Sequence, residues 1–420
     1  MIAKEIKMDG YNATLCYTKK YTSIYMSFLF ELEYTKENIF LTDLLAEYMI
    51  STNSKYKTKK DIHNKIRKLY DMGFGIHCYN IGKKEFFEMH YNILDPNLVE
   101  DDYLDEAIDF AHDLLFSPAF YDGHLDREVL KEIKMRMINS MGSRLKDPSF
   151  KANNEVFLKV FPNSFLSKDI VLSKEEYADI LNSFTDSDII NMYEHLIDNC
   201  FVGAQFMGNI NEKDLEKISS SFKFKTLAEV DTDYNEKFEI VLDDRDIVTP
   251  NPLSSESTLV ELFSIENYQF SDQYAFIALE MILNYVGLIL HKTLREELKL
   301  VYSASASFNR RIGFMTVKAS IDKANKDKTL NGIDKALSTL ENRDYVNELL
   351  DSVKREIYLD IYTEDESENR VFGRYLDEKF EWRERQDIVK KSYQSLTAKD
   401  IIDAVHRLKK EGTFLLRGDK

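Results

Sequence analysis

The chain has 420 residues, 44% of them hydrophobic and 31% charged, with 6 prolines and 14 glycines. This composition supplies enough apolar material for two or more cores and excludes a disordered chain or a turn-rich all-β fold. Against 56 Lys and Arg stand 73 Asp and Glu, a formal net charge of -17, so a phosphate backbone is repelled on average and nucleic-acid binding is not expected.

In chain order, the start "MIAKEIKMDGYNATL" has no apolar stretch of signal-peptide length. "YNATLCYT" (11–18) and "SIYMSFLFELEY" (23–34) are rich in β-branched and aromatic residues and read as strands. A helix follows through about 50. "SKYKTKKDIHNKIRKLYDMG" (54–73) predicts a second, charged helix stopped by Gly73, with the densest basic run, "KYKTKK", at its solvated start. "FGIHCYNIG" and "KKEFFEMHYNIL" read as a strand pair turned at Gly82. "YLDEAIDFAHDLLFSPAF" carries apolar residues at helical spacing and stops at Pro118. A long helix is expected at roughly 123–142, more helix between 149 and 199, and a strand at "CFVGAQFMGNI" (200–210).

From about 236 the order begins again. "KFEIVLDD" (237–244) and "STLVELFSIENY" predict strands, "SDQYAFIALEMILNYVG" an apolar helix and "LILHKTLREELKL" a charged one. "VYSASASF" and "GFMTVKASID" predict a strand pair, followed by helices near 327–342, 344–362 and 384–408 and a closing strand, "GTFLLRGD". The apolar run 277–290 contains Glu280 and Asn284 and is too short and too polar to cross a bilayer. The repeated order indicates an internal duplication. The expected fold is α+β: two homologous domains, 1–222 and 237–420, each a mostly antiparallel sheet covered by helices, joined by a polar linker at 223–236. Cys16, Cys78 and Cys200 form no CxxC pair, which fits a reducing cytoplasm.

"LTDLLAEYMI" (41–50) sets one carboxylate, Glu47, in an apolar helical run. Buried carboxylates are costly unless paired, so this stretch is either a site, a relic of one, or core. A zinc peptidase helix needs two histidines one turn apart with a glutamate beside them, as in His-Glu-x-x-His or the inverted His-x-x-Glu-His. Neither occurs here. The 8 histidines, His63, His77, His90, His112, His124, His195, His291 and His406, include no pair at three or four residues' spacing.

The segment from Thr42 to Tyr79 nevertheless resembles the insulinase/pitrilysin superfamily of inverted zincins, which includes the mitochondrial processing peptidases. On that resemblance Glu47 stands at the motif's glutamate, and Leu44 and Tyr48 stand where its two histidines belong. An alkyl group offers no donor to zinc, and a phenol would have to lose its proton first. The family's third ligand is a glutamate on a later helix within 126–148. One register puts Glu132 there, and another puts Asn139 or Ser140. The stretch is thus read as a degenerate metal helix with no metal of its own.

"LHKTLREELKLVYSASASF" (290–308) resembles the family's C-terminal segment, Arg-Glu-Lys-Leu-Gly-Leu-Ala-Tyr in typical form. Its arginine and tyrosine, seven apart, reach the substrate carbonyl in active members, and Arg295 and Tyr302 keep that spacing. A guanidinium and a phenol can both donate to a developing oxyanion. Lys299-Leu300-Val301 depart from the family in the stretch that usually has a glycine.

The resemblance implies the non-zinc subunit of a bacterial heterodimer, of the type associated with elongation factor P modification. Zinc would be on a homologous partner, Arg295 and Tyr302 would act in trans on a peptide, and no nucleic acid or membrane would be involved. Peptides bind this superfamily by strand addition, for which 83–93 is the candidate edge. The resemblance leaves open homodimers of the isolated chain. It also leaves two other readings: a non-enzymatic scaffold, with Arg295 and Tyr302 buried in local contacts, and a peptidase with rearranged ligands (Glu47, Glu132 and His63 or His90).

Overall fold

The computed structural model describes residues 3–8, 11–99, 103–162, 164–225, 227–228, 246–252, 254–381 and 383–420. The expected strand at 237–244 and most of the linker 223–236 lie outside the described residues. The chain divides into two compact units.

Unit 1 is built on a six-stranded sheet: β1 (Ala3–Lys7), β2 (Asn12–Tyr17), β3 (Ser23–Glu33), β4 (Gly73–Ile81), β5 (Lys84–Leu94) and β6 (Phe201–Gly208), in spatial order β1-β2-β6-β3-β5-β4. β2 and β6 run parallel, and every other neighbour is antiparallel. Unit 2 has β7 (Asp246–Asn251), β8 (Ser257–Ile265), β9 (Val301–Asn309), β10 (Phe314–Ile321) and β11 (Leu408–Gly418), in order β7-β11-β8-β10-β9. Its single parallel pair is β7 with β11. Omit β1 and the two orders coincide strand for strand: the duplication expected from sequence holds at the level of sheet topology.

The units are not contiguous halves. Unit 1 takes in 368–383 and unit 2 takes in 143–172, so each sheet receives a helix from the other half of the chain. In unit 1, Ile24, Met26, Phe28 and Phe30 of β3 face the main core, with α1 (Lys36–Met49) packed over it. The alternate residues Tyr25 and Leu29 pack on Val371, Phe372 and Leu376 of the helix Glu368–Lys379. Both faces of β3 are therefore covered, which is why its sequence is almost continuously apolar and does not alternate. This helix was not anticipated, and the helix expected at 384–408 is two, Gln386–Ser395 and Ala398–His406, restarted by a capping box at Thr397.

Two further expectations need correction. The second helix, α2, spans only Lys59–Lys68 and ends in Tyr70 and Asp71, which take left-handed φ of 56° and 57°. Gly73 does not cap it. Gly73 opens β4, where a Cβ would come within 2.9 Å of the Asn92 Cβ. In unit 2, the stretch Phe270–Glu297 has the length and apolar composition to cross a membrane, but its helix is broken at Gly287 and Leu288, the latter with a left-handed φ of 51°. Half of its apolar window is buried, and Phe276, Leu279, Ile282, Leu283, Leu290 and Leu294 belong to the unit's core.

Candidate functional site

α1 starts at Thr35, whose hydroxyl accepts from the Asn38 N–H, and lays its apolar side on the unit 1 core. Leu44 and Tyr48, one turn apart, are both 0% exposed there. The Tyr48 phenol donates to the Ala119 carbonyl at 2.8 Å and accepts the Asp126 N–H at 2.9 Å, with the ring stacked near Phe120. Burial pushes its pKa up to about 12, so it stays a phenol and not a phenolate ligand. Asp126 in turn caps the helix Arg127–Arg144 through the N–H groups of Glu128 and Val129. Tyr48 thus ties α1 to the start of the helix on which the family's third ligand is expected.

Glu47 projects from the less buried side of α1 and pairs with the Arg136 guanidinium. Arg136 shares a helix face with Glu132, one turn before it, and with Asn139 and Ser140, about one turn after. All three candidate ligand positions are exposed, and Asn139 accepts from the Lys174 ammonium at 2.9 Å. The two helices that a metal would bridge are held by a phenol with two hydrogen bonds and by a guanidinium–carboxylate pair. Arg136 does not stand out in the sequence as a metal ligand or a catalytic group; its one signal there is a cation one helical turn from each candidate.

The rearranged ligand set does not assemble. His90 lies on the sheet face opposite α1, its ring stacked on Tyr25, because side chains alternate along β5. His63 is exposed on α2. Among the described residues, no group of three or more His, Cys, Asp or Glu is placed to hold a metal ion.

Beneath α1, Glu85 of β5 is 2% exposed and accepts from the Thr42 hydroxyl, while its other oxygen has no hydrogen-bond partner among the described residues. Burial raises its pKa to about 8; the Thr42 contact opposes the shift and Asp43 adds to it. An unfolded glutamate ionises near about 4.3, so between that pH and 8 the fold keeps a proton that the unfolded chain has released. Stability therefore falls as pH rises through this window and stays low above it. Glu85→Gln is expected to raise the unfolding free energy at pH 8 by roughly 1–3 kcal/mol and to leave it nearly unchanged at pH 4, read by denaturant melts.

In unit 2, Arg295 lies in a π-helical segment, His291–Glu297, whose last turn is widened, with Leu298 N–H bonded to the Thr293 carbonyl at 3.1 Å. Arg295 is exposed and makes no hydrogen bond or ion pair among the described residues. Tyr302, on edge strand β9, is 50% exposed and donates to Asp322 at 3.3 Å; the Asp322 charge raises its pKa. Between them Lys299 takes a left-handed φ of 54°, and Leu300 N–H closes back on the Leu294 carbonyl at 2.9 Å. Lysine holds this left-handed conformation at a steric cost that a glycine would not bear. Lys299→Gly is expected to stabilise the chain by about 0.5–1 kcal/mol in denaturant melts.

The expected peptide edge, 83–93, is not an edge. β5 is paired on both sides, by β3 and β4, and among the described residues the edge strand at this end of the sheet is β4, half-exposed along its length.

Residues 183–357 match the family model described as the peptidase M16 inactive domain. The fold matches the crystal structure of a conserved protein from Enterococcus faecalis V583 with a TM-score of 0.87 at 21% identity, covering 99% of each chain. It matches a peptidase M16 inactive domain from Pseudomonas fluorescens at 0.74 and 16% identity, covering 100% of this chain and 99% of that one. A Helicobacter pylori protease matches at 0.73 and 13% identity, with 99% of each chain covered. No curated protein sequence matches. Residues 183–357 are thus similar to the peptidase M16 inactive domain, and the whole chain shares the fold of these three solved structures.

Proposed function

We propose that this chain is the non-zinc half of a cytoplasmic heterodimeric zinc metallopeptidase. It holds an extended peptide by strand addition on the free edge of β4 and presents Arg295 and Tyr302 to the carbonyl under attack on a zinc-bearing homologue. One observation carries the reading. The metal helix has been closed with a leucine, a phenol and an arginine–glutamate pair, while Arg295 and Tyr302 keep their polar ends exposed. A scaffold subunit would have those two side chains buried in local contacts, and neither is. Three free cysteines and no disulfide support the cytoplasmic setting.

The test is complementation. A homologue with an intact His-x-x-Glu-His is assayed for peptide cleavage alone, with this chain, and with its Arg295→Ala and Tyr302→Phe variants. Activity that needs the mixture and falls with either variant supports the proposal. Activity indifferent to both variants overturns the role given to these residues.

A further inference from the structure

On the face of the unit 1 sheet opposite α1, aromatic rings run from strand to strand toward the free edge. Phe372, on the helix Glu368–Lys379, packs on Tyr25 of β3 with centroids 4.1 Å apart. Tyr25 stacks on His90 of β5 at 5.8 Å, with the planes 6° apart. His90 meets His77 of β4 at 4.4 Å. The register explains the run: His90 is opposite Gly75 and His77 is opposite Glu88, so the two imidazoles are diagonal neighbours on one face.

Gly75 is what lets the run reach the edge. A Cβ at this position would fall 2.6 Å from the His90 ring, so the imidazole occupies the space that any other residue would fill. His90 is held neutral, its pKa lowered to about 4 by burial and by His77, so its ring packs as an aromatic surface. Below the pair, Glu88 is buried and accepts from Ser27 at 2.7 Å. The last ring, His77, is exposed on a strand that has no outer neighbour among the described residues.

We propose that β4 selects extended peptides carrying an aromatic side chain positioned to stack on His77, extending the ladder by one ring. The inference rests on strand addition to β4 and adds the substrate class. Cross-strand aromatic pairs add to pairing at the level of a few-fold in affinity, and the edge of a sheet reads alternate side chains of the strand it captures.

The probe is a set of labelled decapeptides of Thr, Val and Ser in which one Phe is moved along the sequence, with a Phe-free reference. Binding to the full chain is measured by fluorescence anisotropy. The expected result is one Phe position binding roughly three- to fivefold tighter than the reference. His77→Ala should bring that peptide down to the reference affinity, and His77→Phe should keep the preference. Equal binding of all peptides, or a Phe preference that survives His77→Ala, overturns the ladder and leaves strand addition standing. No binding by any peptide overturns both.

Discussion

Tyr48→Phe is expected to lower the unfolding free energy by roughly 1–3 kcal/mol, although it removes a single oxygen. That oxygen serves two backbone groups. It donates to the Ala119 carbonyl and accepts the N–H of Asp126, the residue that starts the next long helix. Phenylalanine keeps the ring's packing against Phe120 but leaves both groups without their partner, and unmet hydrogen-bonding groups in a core cost more than a bond contributes. Tyr48→Ala adds a cavity at a fully buried position and is expected to cost about 3–5 kcal/mol. Chemical denaturation of the full chain separates the two. A Tyr48→Phe variant as stable as the parent would mean that the phenol is not the tie between the two helices.

Arg295→Ala, measured in the mixture with a zinc-bearing homologue, is expected to reduce kcat/KM by roughly 10²–10³-fold, the cost of removing one oxyanion donor. Tyr302→Phe removes a weaker donor and is expected to cost about tenfold to 10²-fold. Both side chains are exposed, and Tyr302 makes one long hydrogen bond, so each variant should unfold within about 0.5 kcal/mol of the parent. The contrast between a large kinetic and a negligible stability effect is what sets a contact made in trans apart from a structural one. Equal losses in both measurements would place the two residues in the fold and not in the chemistry.

The duplicated order of elements was legible in the sequence because apolar periodicity and turn residues report element type directly. The strand pair turned at Gly82, which takes φ 57°, is one instance. The absence of a zinc-binding histidine pair was equally plain, since neither Leu44 nor Tyr48 offers a donor that replaces an imidazole. Strand order was less accessible: β4 and β5 are both half-apolar runs, and nothing local says which of them ends the sheet. The unbroken apolar run of β3 was the one local sign that a helix covers its second face, and that helix comes from about 340 residues later in the chain, at Glu368–Lys379. The Glu47–Arg136 pair depends on helix packing across 89 residues and leaves no periodic trace. Lys299 stands in the stretch that departs from the family pattern, and it takes a left-handed turn despite its Cβ, with the helix end closed locally by the Leu300 N–H on the Leu294 carbonyl.

The most direct measurement is zinc binding by the purified chain, by equilibrium dialysis against micromolar zinc followed by metal analysis. The expected result is far less than one zinc per chain, unchanged by Glu47→Gln, with full occupancy appearing only when the histidine-bearing homologue is added. One tightly held zinc per chain, lost on Glu47→Gln, would contradict the account.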